Sequence, residues 1–196
     1  MLRRCFLALT TLLATPPAAA QSDLWQSLQG GGHVLLIRHA LTTPGIGDPP
    51  GFRLAACATQ RNLSEQGKRD AVAIGAVLRQ RGIPLGPVLS SRWCRCLDTA
   101  RLAFGRVEEA PMLDSMFQDS DAAGRAKVRE VLARIALWRQ AGGKDNLVLV
   151  THDVNIRALV DAYVEQGGIV VAQPVDGRLR VVGRLPLSTV LPRRVP

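Results

Sequence analysis

The sequence predicts an α/β protein with three layers: a mostly parallel sheet, helices on both of its faces, and one antiparallel edge. Short apolar runs rich in β-branched residues, such as 34–37 and Asn146–Thr151, alternate with longer segments of helical periodicity. This alternation is typical of parallel strands that are buried on both faces. Near the end of the chain, apolar runs at 169–172 and 179–185 flank Val175-Asp176-Gly177, which predicts a closing hairpin.

The first twenty residues have the features of a secretory signal peptide. Arg3 and Arg4 precede an almost wholly apolar run, and Ala18-Ala19-Ala20 supplies small residues for cleavage. The run is far shorter than the about 20 residues that span a bilayer. Cys5 lies inside the run, which argues against a lipoprotein anchor. We therefore expect a signal peptide at 1–20 and one mature domain at 21–196, periplasmic or secreted, without stable membrane insertion.

The elements of the mature domain follow from local signals. After the first strand, the Gly/Pro-rich stretch 44–51 predicts a loop, and Ser64 is a suitable N-cap for a helix that ends near Gly82. The remaining predictions are a strand at 87–90, a helix at Cys94–Phe104, a third strand at 107–112 and helices at 122–140 and 154–165.

The charge balance favours an anionic partner. The formal net charge is +9, and it falls to +7 when Arg3 and Arg4 leave with the signal peptide. A basic protein can bind nucleic acid, an anionic membrane surface or a phosphorylated molecule. The arginines are scattered and the few aromatic residues do not interleave with a basic run, so nucleic acid is not expected. The sequence makes no prediction about the oligomeric state.

Three cysteines remain after cleavage, and they predict one disulfide and one free thiol in an oxidising compartment. We expect a bridge from Cys57 to Cys94 or Cys96, with Cys94 marginally preferred. The cysteines lack zinc spacing, and the chain has only three histidines. The sequence therefore predicts no metal site and no cofactor.

Candidate chemistry lies where strands end. His39 follows the first strand, His152 follows Asn146–Thr151, and Arg92 and Arg95 follow the strand that ends at Ser90. Ligands of parallel sheets bind at this edge. Imidazole can act as a nucleophile toward phosphorus, and guanidinium binds phosphoryl oxygens bidentately. A lone histidine after a strand is more often structural, and His33, which precedes its strand, is predicted to be so.

Four segments in order resemble the histidine phosphatase superfamily, whose fold is shared by phosphoglycerate mutases and histidine acid phosphatases. The resemblance covers about 34–159 and implies a phosphoglycerate mutase-like fold. The segments are Leu36-Ile37-Arg38-His39-Ala40, Asn62-Leu63-Ser64 with Gly67 and Ala71, Ser90-Ser91 with Arg95 and Thr99-Ala100, and Val150-Thr151-His152.

The resemblance implies a role for each matching residue. His39 would accept the phosphoryl group, while Arg38, Arg95 and His152 would hold the phosphate. Arg92 is the secondary candidate for the second arginine, because the spacing to Thr99-Ala100 favours Arg95. One departure is Ala40, which stands where the family has glycine after the histidine.

The general acid is the larger departure from the family pattern. The mutase-like branch has a Glu or Asp after the third strand, where this chain has Asp114 and no Glu. The acid-phosphatase branch uses the Asp after the second histidine, and Asp153 matches it. We favour Asp153, with helix N-capping as its alternative role. Asp119 is a further option, and Asp114 and Asp119 are alternatively solvated loop carboxylates.

Together these features predict an exported phosphomonoesterase with a phosphohistidine intermediate. A sugar phosphate or a lipopolysaccharide-core phosphate is the expected substrate. The alternatives are a phosphohistidine-protein phosphatase, a mutase, or a non-catalytic protein that binds phosphate or anionic lipid on the same fold. The cytoplasmic location of mutase substrates disfavours a mutase, and an intact His39 disfavours a protein that only binds.

Overall fold

The computed structural model describes residues 18–191, so the predicted signal peptide lies almost wholly outside them. The signal peptide and its cleavage after Ala20 stay predictions. The first described element is helix α1 (Ala18–Gln29), which the sequence analysis did not predict. Within 18–191, none of the helices has the length and apolar character that crossing a membrane requires.

Within residues 18–191, six strands and five further helices follow α1. In chain order they are β1 (Val34–Arg38), α2 (Glu65–Gln80), β2 (Leu85–Ser90), α3 (Cys94–Phe104), β3 (Glu108–Glu109), α4 (Asp121–Gln140), β4 (Asn146–Thr151), α5 (Asp153–Val160), β5 (Ile169–Val175), β6 (Arg178–Leu185) and α6 (Leu187–Val190). Short 3-10 helices lie at Cys57–Thr59 and Pro111–Leu113.

The strands form one sheet in the order β3-β2-β4-β1-β5-β6. The parallel pairs are β3/β2, β2/β4 and β4/β1, whereas β5 is antiparallel to both β1 and β6. The predicted fold class, a mostly parallel sheet with an antiparallel edge, is therefore confirmed. The hairpin between β5 and β6 is also confirmed, and its turn residues Asp176 and Gly177 both have positive φ, as a two-residue hairpin turn requires.

Alternate residues of the central strands enter two separate cores. In β1, Leu35 and Ile37 pack in a core with α1, α2 and α3, while Val34 and Leu36 pack in a core with α4 and α5. All four side chains are fully buried. The sheet is thus the middle of three layers, which explains why its strands are continuous apolar runs.

The start of α2 is held against the loop that follows β1. Ser64 caps the helix, because its Oγ accepts a hydrogen bond from the Gly67 amide at 3.0 Å. A Cβ on Gly67 would overlap the backbone carbonyl of Leu41. Only glycine permits this approach, which places the segment before α2 beside the end of β1.

Two predicted elements are shorter in the structure. The third strand, predicted at 107–112, is limited to Glu108–Glu109, because Pro111 lacks an amide donor and begins a 3-10 helix. The helix predicted at 154–165 ends at Val160, because Asp161 adopts a left-handed conformation with φ 48°. The predicted structural role of His33 is confirmed: its Nε2 lies 3.1 Å from Ser27 Oγ, and its amide donates to Asn146.

Candidate active site

The register of the sheet brings three strand ends together. Arg38 of β1 is opposite Thr151 of β4, and Ser90 of β2 is opposite Val150 of β4. The next residue of each strand, His39, His152 and Ser91, therefore lies at one edge. The His39 amide donates to Thr151 O at 3.0 Å, which ties the two histidine-bearing segments to each other.

His39 presents one ring nitrogen with a free lone pair. Its Nδ1 lies 2.9 Å from Ala40 O, and a carbonyl oxygen can only accept, so Nδ1 carries the proton and Nε2 does not. Burial lowers the pKa of His39 to about 3, aided by Arg95 and Arg38 and opposed by the bond to Ala40. The ring is therefore a neutral imidazole at neutral pH, the form that can act as a nucleophile.

His152 lies beside His39, with the ring centroids 5.5 Å apart and the planes inclined by 67°. Its Nε2 lies 2.9 Å from Ser91 Oγ and 3.5 Å from Cys96 Sγ. Burial, together with the neighbouring His39 and Arg95, lowers its pKa well below the usual value. Two neutral imidazoles thus meet at the edge of the sheet.

Three guanidinium groups line the same cavity as His39 and disfavour its charged form; we call Arg38, Arg61 and Arg95 the cationic cluster. Arg38 donates from Nη1 to Val164 O at 3.1 Å, and its guanidinium lies 5.9 Å from the Tyr163 ring centroid. Within the described residues, the Nε atoms of Arg38 and Arg95 are buried and have no hydrogen-bond partner. Unused buried donors beside a neutral imidazole favour an anionic ligand, because an oxyanion would satisfy them.

Arg61 was missed by the sequence analysis. It donates from Nη1 to Thr42 Oγ1 at 2.6 Å and from Nε to Gly47 O at 2.8 Å, and it lines the same cavity as His39. Burial lowers its pKa, and the like charge of Arg95 acts in the same direction. The available signal was its position, directly before Asn62-Leu63-Ser64.

Asp48 was also missed, although it is the only charged residue of the loop at 44–51. Its Oδ1 accepts from Arg95 Nη1 at 2.7 Å and from the Arg61 amide at 2.9 Å. Its Oδ2 accepts from Trp93 Nε1 at 2.9 Å and from Arg95 Nη2 at 3.3 Å. Burial raises its pKa, but these hydrogen bonds outweigh that effect and the net shift is downward. An ionised Asp48 therefore fixes the guanidinium of Arg95.

The predicted disulfide is confirmed and joins Cys57 to Cys94. It connects the segment before Arg61 to the first residue of α3, one position before Arg95. Closing a loop of this length is worth about 3–4 kcal/mol in the chain-entropy model. The free Cys96 is buried, and burial raises the pKa of its thiol to about 12, so it stays protonated at neutral pH.

Arg92 does not share the environment of Arg95. Its amide and Nε each donate to Asp114 at 2.8 Å, to Oδ1 and Oδ2 respectively. The Asp114 side chain is only 5% exposed, whereas that of Arg92 is 41% exposed. The alternative of a solvated loop carboxylate is therefore wrong for Asp114, which is a buried partner of Arg92.

We call Asp114, Asp119 and Asp153, which all line the cavity, the carboxylate set. Asp119 forms an ion pair with Lys127 at 2.7 Å. Asp153 Oδ2 accepts from Arg157 Nε at 2.9 Å, while Oδ1 is buried without a hydrogen-bond partner. His152, and not Asp153, occupies the N-cap position of α5. Asp153 thus has an unused oxygen and no capping bond.

These groups surround a cavity of about 790 Å³. Part of its apolar lining, which we call the aromatic rim, consists of Ile46, Phe52, Leu54, Trp93 and Phe117, and Pro111 and Val154 also line the cavity. In the part of the chain that the structure describes, no group of three or more His, Cys, Asp or Glu side chains is arranged to hold a metal ion.

The architecture is shared with solved structures. The protein histidine phosphatase SixA, complexed with tungstate, has a TM-score of 0.59 at 13% identity, over 81% of this chain and 99% of its own. Phosphoglycerate mutase from Bacillus anthracis has a TM-score of 0.58 at 16% identity, over 83% and 97%. The alpha-ribazole phosphatase from Shigella flexneri has 0.55 at 19%, over 76% and 95%.

The chain has the phosphoglycerate mutase-like fold. The resemblance to the histidine phosphatase superfamily is confirmed at the level of this fold. No protein-family model and no curated protein matches the sequence. Identities below 25% establish the fold alone, so the evidence for the chemistry lies in the side chains that this fold brings together.

Proposed function

We propose that this protein is a phosphomonoesterase that carries the phosphoryl group transiently on His39. The main observation behind the proposal is the protonation state of the His39 ring. Its Nδ1 proton is held by Ala40 O, its ring is neutral, and its Nε2 lone pair is free beside three guanidinium groups. A binding protein for phosphate would gain nothing from a neutral nucleophile among its cations.

Each group of the site has a separate role in the proposed reaction. The cationic cluster would bind the phosphoryl oxygens and stabilise the charge that develops during in-line transfer. His39 Nε2 would attack phosphorus and the alcohol oxygen would leave, giving phosphohistidine. Water would then attack phosphorus and release inorganic phosphate, restoring His39. Asp153 is our candidate for the acid that protonates the leaving oxygen, and its carboxylate would then accept the proton of the attacking water.

Two further findings support this function. The SixA structure of the same fold holds tungstate, a tetrahedral oxyanion like phosphate. The Cys57–Cys94 disulfide is typical of proteins from oxidising compartments, which supports export to the periplasm or the medium. Export disfavours a mutase and favours extracytoplasmic phosphomonoesters, among which sugar phosphates and lipopolysaccharide-core phosphates are our candidates.

A rapid-quench experiment with labelled substrate tests the covalent step. The wild-type protein should form an acid-labile, alkali-stable phosphoenzyme, and His39→Ala should remove both the phosphoenzyme and turnover, by at least about 1000-fold. The matched variant His152→Ala should lower the rate. If His39→Ala keeps the phosphoenzyme and His152→Ala loses it, the two histidines have exchanged roles.

A further inference from the structure

The cavity is larger than a phosphate group requires. Its volume of about 790 Å³ lies in the range that accommodates drug-sized ligands. The cationic cluster and the two histidines account for the phosphate end of a substrate. The aromatic rim belongs to the remaining lining, and it has no part in the phosphoryl transfer.

Aromatic residues are concentrated at this site. The chain has four Phe, three Trp and one Tyr, and Phe52, Trp93 and Phe117 all line this one cavity. The side chains of Ile46 and Phe117 are 93% and 63% exposed, so neither is held in a core. Single exposed apolar residues need no explanation, but several around one cavity indicate a binding surface.

The aromatic rings lead directly away from the catalytic histidines. The Trp93 ring packs edge-on against His152 with centroids 5.6 Å apart, and Phe52 lies 5.8 Å from Trp93. The hydrogen bond from Trp93 Nε1 to Asp48 fixes the ring. A group esterified to a phosphate at His39 would therefore meet Trp93 first and Phe52 next.

We infer that the aromatic rim is a subsite for the alcohol part of the substrate, and that this part is an aromatic or alkyl group. The inference rests on the proposed phosphomonoesterase function, and it favours an apolar alcohol over the sugar phosphates that export alone suggests. A fixed apolar surface stabilises an apolar group in proportion to the area removed from water. A polyhydroxylated sugar gains less from this surface, because the hydroxyl groups that face it lose their hydration without replacement hydrogen bonds.

Phosphomonoesters of primary alcohols test this inference, because their leaving groups differ little in acidity. We expect kcat/KM for naphthylmethyl phosphate to exceed that for ethyl phosphate by about 10- to 100-fold, and to exceed that for glucose 6-phosphate. Phe52→Ala and Phe117→Ala should each lower the naphthylmethyl-to-ethyl ratio. Leu137→Ala, an exposed apolar residue on α4, is the matched control and should leave it unchanged. A ratio near one, or equal turnover of glucose 6-phosphate, would overturn the inference.

A binding measurement separates this inference from the proposed function. Calorimetry with naphthylmethylphosphonate and ethylphosphonate, which the enzyme cannot hydrolyse, should show the same preference and the same loss in Phe52→Ala. If no phosphomonoester is hydrolysed but this preference holds, the proposed function is wrong and the subsite stands. If hydrolysis occurs and the phosphonates bind equally, the subsite is wrong and the function stands.

Discussion

The cationic cluster and the carboxylate set line the same cavity but are built differently. Arg38 and His39 end a central strand, and Arg95 lies in the first turn of α3, buried and clamped by Asp48. The carboxylates lie on the segment after the short β3 and at the start of α5, and each one is paired with a cation. A rigid strand end holds Arg38 and His39 and a buried ion pair holds Arg95, whereas each carboxylate lies in a local ion pair that decides whether it is free to act.

This difference separates candidate active-site residues of the same type. Arg92 and Arg95 are three residues apart and are paired with Asp114 and Asp48 respectively, but of the two only Arg95 keeps a buried Nε without a hydrogen-bond partner. Among the carboxylates, Asp114 has both oxygens occupied, while Asp153 keeps one unused. The partners of these side chains thus support the choices that motif position also favours.

Among the variants that test this comparison, we expect the largest change in kcat/KM from a substitution at Asp153. Asp153→Asn should lower kcat/KM for alkyl phosphates by about 100- to 1000-fold, because their leaving oxygen needs a proton. It should change hydrolysis of p-nitrophenyl phosphate far less, since nitrophenolate leaves unprotonated. Asp114→Asn and Asp119→Asn should lack this asymmetry. The same asymmetry in Asp119→Asn would move the acid to the segment before α4.

The two arginines are the next test. Arg95→Ala should lower kcat/KM by an amount that corresponds to about 2–4 kcal/mol of activation free energy, because a charge-assisted contact to the phosphoryl group is lost. Arg92→Ala should instead lower the free energy of unfolding by about 1–3 kcal/mol, because it leaves the buried Asp114 carboxylate without its main partner. Steady-state kinetics and urea denaturation of both variants measure the two effects. A larger kinetic loss in Arg92→Ala contradicts the assignment.

A smaller effect is expected at Asp48, which we propose positions Arg95. Asp48→Asn should raise KM about tenfold with little change in kcat, because Arg95 loses its ionic partner while the shape of the loop is kept. Asp176→Asn, in the exposed turn between β5 and β6, is the matched control. Tighter binding of inorganic phosphate by Asp48→Asn would show instead that the carboxylate competes with phosphate for Arg95.

The last test concerns the free energy of unfolding as a function of pH. The pKa of His39 is lowered to about 3 in the folded protein and is about 6.5 in an unfolded chain. Between these values the unfolded state binds more protons, so the free energy of unfolding falls as pH falls, by at most about 1.4 kcal/mol per pH unit for this group. Urea denaturation from pH 7 to 4 should give a shallower slope for His39→Asn than for the wild type. Equal slopes would mean that His39 is not buried as a neutral ring.

Most of the strands and helices could be predicted from the sequence alone. Continuous apolar runs located β1 and β4, Ser64 marked the start of α2, and the boundaries of α3 at Cys94–Phe104 agree with the prediction. These features depend on periodicity and capping within a few residues, so they can be recognised locally. His39 and His152 were found for the same reason, because each directly follows a recognisable strand.

The contacts between side chains that are distant in the chain, in contrast, depend on the tertiary structure. Asp48 and Arg95 are 47 residues apart in the chain and 2.7 Å apart in space, and Arg61 joins them through its backbone amide. The choice of Cys94 over Cys96 and the pairing of Arg92 with Asp114 likewise depend on which segments pack together. Hydrogen bonds and ion pairs act over a few ångströms, and the sequence does not state which distant side chains come that close.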